Sequence, residues 1–169
     1  MKMTATTYKN GAILPYLGQE YTLEVRIYRS YQKPGVMEEG RKLVVLTALS
    51  DEAVVEKALR EWYAARAKQV IEARVKRYCQ ELGETVGTVR IKNVKSRWGS
   101  CSSKRNLNFN WRLVMAPMEV LDYVVVHELC HLREMNHSAA FWDLVGAVLP
   151  DYKARSQWLK TCGLIRQFQ

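Results

Sequence analysis

The sequence predicts an α+β fold, with a mostly antiparallel sheet packed against helices. Three observations predict it. Residues 21–29 and 42–47 have the alternation and β-branched content of strands. Residues 51–82 repeat apolar side chains at helical spacing between a cap residue and a glycine. Residues 117–132 repeat that helical pattern, and all three histidines of the chain lie at or just past its end.

The elements follow in order. Tyr21 to Arg29 alternates and reads as a strand. Pro34-Gly35 opens a turn region that Glu39-Gly40 closes, and Lys42 to Thr47 reads as the partner strand. Ser50 or Asp51 can cap the long helix to about Leu82, whose apolar positions include Val54, Ala58, Leu59, Trp62, Val70, Ile71 and Val75. Gly83 and Gly87 bracket a connection to a strand at Thr88–Val94. Ser96 to Arg105 reads as a loop or hairpin, and Asn106 to Met115 as a strand running into the motif helix. Pro117 suits a first helical position and Glu119 a first turn, with Val120, Leu121, Val124, Val125 and Leu129 as the apolar stripe. Ala139 to Leu149 reads as a further helix closed by Pro150, and Asp151 to Cys162 as a last short one.

At 169 residues the chain suits one domain, 1–169, with an N-terminal β-hairpin region at 1–50 and a helical and catalytic core at 51–169. No run is long or apolar enough to span a membrane, and Met1 to Thr7 lacks the apolar core of a signal peptide. Cys79, Cys101, Cys130 and Cys162 are scattered without C-x-x-C spacing, which reads as reduced thiols in a cytoplasmic protein.

The motif is His127-Glu128-Leu129-Cys130-His131, an H-E-x-x-H. On a helix, His127 and His131 stand roughly 40° and 6 Å apart on one face, so both imidazoles reach one ion. Glu128 is turned about 100° from His127 and flanks the ion, where a carboxylate can take a proton from an activated water. Zinc in a catalytic site takes a third protein ligand, and His137 is the histidine that remains. On an unbroken helix it would lie about 15 Å along the axis from His127. Ligation by His137 therefore predicts a helix break between Leu132 and Ser138; otherwise His137 is a surface loop residue. Met135-Asn136 can turn there, and Ser138 can cap the next helix.

Net charge is +9. Thr85 to Met118 holds Arg90, Lys92, Lys95, Arg97, Lys104, Arg105 and Arg112 with no acidic residue, interleaved with Trp98, Phe109 and Trp111. Such a segment (85–118) is a solvated sheet face, a nucleic-acid surface, or a recognition site for anionic groups such as phosphates. The strand at Leu107–Trp111 is either internal or an edge that pairs with an extended peptide, with Asn108 and Asn110 on one side as possible substrate contacts. Tyr123 and Tyr152 are core tyrosines or oxyanion stabilisers.

Ser96 to Tyr152 resembles the YgjP-like metal-dependent hydrolases, a zinc metallopeptidase-like family. The matching residues are Arg97-Trp98-Gly99-Ser100-Cys101, Leu107-Asn108-Phe109-Asn110, Tyr123 to Leu132, His137, Phe141-Trp142 and Pro150-Asp151-Tyr152. The resemblance implies a zincin-like core, one zinc ion on His127, His131 and His137, and Glu128 as catalytic carboxylate. More distantly the stretch is similar to SprT-like proteases. Metzincins share the histidine spacing but place glycine where this chain has Glu134, which argues against that group.

Residues and resemblance together predict a zinc-dependent hydrolase acting on peptides or proteins, with Glu128 activating the water. The alternatives are hydrolysis of a nucleotide phosphoanhydride and a non-enzymatic zincin-fold module holding nucleic acid. Other divalent metals also suit a histidine site.

Overall fold

A computed structural model describes residues 7–164. The signal-peptide expectation concerns residues 1–7, of which all but Thr7 lie outside that span. Among the described residues seven strands form two sheets, accompanied by four α-helices.

The first sheet contains β1 (Ile13–Tyr16), β2 (Gln19–Ile27), β3 (Gly35–Glu39) and β4 (Lys42–Thr47), in the order β1-β2-β4-β3. The pairs β1–β2 and β3–β4 are antiparallel hairpins, but β2 and β4 run parallel. The expected single hairpin region is thus two hairpins side by side. The alternation of β2 looks the same whichever neighbour it has. The continuous apolar run Leu43-Val44-Val45, wholly buried in β4, is the mark of a central strand covered on both faces.

Asp51 caps α1 (Glu52–Leu82) by accepting from the Ala53 N–H at 2.9 Å, and Gly83 ends it in the left-handed region at φ 66°. At about 46 Å this helix is long enough to touch both sheets.

The second sheet contains β5 (Val89–Lys92), β6 (Gly99–Cys101) and β7 (Leu107–Asn110), in the order β5-β7-β6. β7 is central, parallel to β5 and antiparallel to β6. The strand expected through Met115 stops at Asn110. Trp111–Met115 forms a 3₁₀ turn, which Asn110 caps by accepting from the Arg112 N–H at 3.1 Å. All five residues of that turn are buried.

This turn aims α2 (Met118–Cys130). The β1–β2 hairpin tip, Leu17-Gly18, has both residues at positive φ and donates N–H bonds to the Val114 and Met115 carbonyls. Gly18 lies so close to Pro117, the residue before α2, that a β-carbon there would stand 2.8 Å from Pro117 Cα. Midway along α2, Asp122 takes a bidentate grip from Arg74 of α1, at 2.6 Å and 2.5 Å, and a third bond from Tyr78. α3 (Ala139–Val148) and α4 (Tyr152–Thr161) close over α2. A continuous apolar cluster runs from Leu14 in β1 to Leu164 beyond α4.

Candidate metal centre

His127 and Glu128 sit in the last turn of α2, and His131 is its C-cap. Residues 131–133 form a tight turn in which Leu132 and Arg133 donate to the carbonyls three residues back. The helix therefore ends slightly before the predicted break at Leu132, and the chain doubles back. Ser138 starts α3 by accepting from the Phe141 N–H at 3.3 Å. The fold-back brings His137 to the other two histidines. Glu134, at the metzincin glycine position, has no positive φ, so this turn does not need glycine.

His137 Nε2 lies 3.1 Å from His127 Nε2 and 3.2 Å from His131 Nε2. The three ligand atoms all fall within 4.8 Å of one another. Two nitrogens bound to one tetrahedral zinc at about 2.0–2.1 Å stand roughly 3.3–3.4 Å apart, so the spacing fits that ion. The donor set fits as well. His131 Nδ1 donates to the Glu134 carbonyl at 2.9 Å, which leaves the Nε2 lone pair facing its neighbours. Burial, with the other imidazoles, pushes His127 down to about 4, so it is neutral at pH 7. A proton on His137 Nε2 serves one of its two contacts well, whereas a cation serves every ring.

Each ring is held differently. His131 has its carbonyl, and His127 Nδ1 has the Tyr123 hydroxyl at 3.4 Å. His137 is exposed and stacks on Trp142 at 5.8 Å and 23°. Trp142 in turn stacks on Tyr152 at 5.3 Å and 14°. Phe141 stacks on His131 at 4.4 Å and edges against His127 and His137.

Glu128 is buried against β6. Desolvation raises its carboxyl to about 7, opposed by the charge of Arg97. A dication beside it would pull that value back down. A cavity of about 310 Å³ opens next to it, lined by Arg97, Trp98 and Gly99, by Tyr123, Val124 and His127 of α2, and by Ser156, Leu159 and Lys160 of α4.

The family described as YgjP-like, metallopeptidase domain, matches residues 1–162. The chain belongs to the YgjP-like family. It is a metal-dependent hydrolase, a zinc-dependent metallopeptidase. Among solved structures the YgjP-like chain is similar to the metallopeptidase zymogen of Pyrococcus abyssi abylysin. The two share 25% identity at a TM-score of 0.50, over 54% of this chain and 92% of that one. No curated protein matches the chain. Among the described residues no helix is long and apolar enough to cross a membrane.

The other sequence candidates scatter. Asn110 is wholly buried, and its amide donates to the Val94 and Arg97 carbonyls, so it anchors the 93–98 loop. Asn108 donates across to Ser100 Oγ at 3.2 Å, and β7 is central, so the edge-strand reading of Leu107–Trp111 is corrected. The free edge beside the histidines is β6. Tyr152 sits behind Trp142, and Tyr123 lines the cavity.

The basic segment is not one surface. Arg112 is fully buried near Asn93 and Asn110, and Arg105 pairs with Glu84. Arg90 and Lys92 lie on β5, at the opposite edge of the sheet, whereas Arg97 reaches the cavity. The sequence does not reveal that Gly99, Lys160 and Ser156 line the same cavity as Glu128. Their nearness to Glu128 comes from tertiary contact, and no local spacing signals it.

Proposed function

We propose that His127, His131 and His137 hold one zinc ion and that Glu128 is the general base of peptide-bond hydrolysis, within one zincin-like unit spanning 1–169. The observation that carries this is the convergence of three Nε2 atoms, two contacts at 3.1 Å and 3.2 Å, one residue from a buried carboxylate. Bound there, zinc would supply Lewis-acid activation of a water and of the substrate carbonyl.

The chain's own residues do the rest. Glu128 accepts the water's proton on a carboxylate oxygen and delivers it to the leaving amine. Burial keeps the Glu128 carboxylate from being stabilised by bulk water. Tyr123 orients His127 through Nδ1. The substrate backbone lies along the free edge of β6, Gly99–Cys101, which touches α2 at Glu128. The four unpaired cysteines support a cytoplasmic setting.

The test is hydrolysis of a mixed peptide pool by zinc-loaded protein and by Glu128→Gln. The reading expects turnover in the first and its loss in the second, at equal zinc content. Undiminished cleavage by Glu128→Gln would remove the carboxylate from the mechanism.

A further inference from the structure

We propose that the cavity beside Glu128 is a specificity pocket for an acidic side chain, so that this chain prefers peptides with Asp or Glu next to the scissile amide. This rests on the peptidase reading above and names the substrate class for the same site.

The pocket is built from two sides. The loop entering β6 supplies Arg97 and Trp98; α4 supplies Ser156, Leu159 and Lys160. Its inner wall is apolar, with Val124 and Leu159 buried. Two cations, Arg97 and Lys160, stand exposed at its rim from these separate elements. Among the described residues neither forms an ion pair with a carboxylate, although Arg26, Arg74, Arg105, Arg133 and Arg155 all do. Glu128 is the one acid in the lining, and the other titratable groups there are His127 and Tyr123.

A volume of about 310 Å³ sits at the bottom of the roughly 300–1,000 Å³ range of small-molecule clefts. It admits one side chain of a peptide laid along β6. An apolar stem with a carboxylate tip matches apolar walls with two cations at the mouth. A nucleoside triphosphate carries more charge than two rim cations balance and more bulk than the pocket holds.

The experiment compares two quenched fluorogenic peptides that differ only in Glu against Gln beside the cleaved bond. Wild-type protein should favour the Glu peptide about tenfold in kcat/KM, and the preference should shrink as salt rises. Lys160→Glu should abolish or invert the preference, and Arg97→Gln should weaken it. Fluorescence anisotropy with Glu128→Gln, which reads binding without turnover, should show a preference of the same sign in Kd.

Equal cleavage of both peptides, or a ratio unchanged by Lys160→Glu, overturns the pocket and leaves the peptidase reading standing. A binding preference for the Glu peptide without cleavage of any peptide does the reverse. Hydrolysis of ATP, with no peptide bound or cut, overturns both.

Discussion

Gly99 lies flush against Glu128: a β-carbon at Gly99 would stand 2.8 Å from Glu128 Oε1 and 2.9 Å from its Cγ. Gly99 is not at positive φ, so space, and not backbone freedom, fixes the residue. Gly99→Ala should displace the proposed base and lower kcat by about 10–100-fold while zinc content stays equal to wild type. Steady-state kinetics beside metal analysis checks this; wild-type kcat would show that the carboxylate's position is immaterial.

Trp142 is the splint for the exposed His137. Trp142→Ala removes the ring on which His137 stacks and should weaken zinc binding by about 10–100-fold, an effect of the size seen when outer partners of metal ligands are lost. Trp142→Phe should recover most of it. Competition with a chromogenic chelator measures both. Equal affinity in Trp142→Ala would mean that the fold-back alone places His137.

The Arg74–Asp122 pair should be structural. Asp122 is buried and Arg74 partly so, and Asp122→Ala strands the guanidinium between α1 and α2. Loss of about 3 kcal/mol in denaturant unfolding is expected. A loss below about 1 kcal/mol would show that Arg74 finds water instead.

Glu84 joins three segments, accepting from Arg105 in the β6–β7 hairpin and from Arg133 in the turn after His131. Hydrogen bonds from Arg133, then Arg105, hold its carboxyl below the ordinary value. Because the folded-state value is depressed, its stabilisation is full above the unfolded carboxylate range near pH 4.3 and is lost as pH falls through the folded value. Both arginines are half-exposed, so solvent screening limits the contribution to about 1 kcal/mol. Glu84→Gln should flatten the acid side of the stability–pH curve below about pH 4.3 and leave neutral-pH zinc binding intact. An unchanged acid limb would count against the pairing.

Features written in local chemistry were legible in the sequence. Asp51 and Gly83 bound α1 because caps act within one turn. His127 and His131 share a face by helical arithmetic, and the break before His137 followed from needing a third ligand. Pairing was less legible. The period-2 pattern of β2 is the same beside a parallel or an antiparallel neighbour, so β4's place between β2 and β3 stayed hidden. Leu113-Val114-Met115 reads as strand by composition, yet burial on every side suits a 3₁₀ turn, and Asn110 was the cap signal for it. Arg112 looked like surface charge because Asn93 is distant in sequence and no local spacing marks Asn110 as its neighbour. The juxtaposition of Gly99, Glu128 and Lys160 is purely tertiary.

Zinc stoichiometry and affinity across single histidine variants test the central claim most directly. Wild type should bind one zinc per chain, and His127→Ala, His131→Ala and His137→Ala should each lose tight binding while remaining folded by circular dichroism. Retention of wild-type affinity by His137→Ala would contradict the three-histidine site.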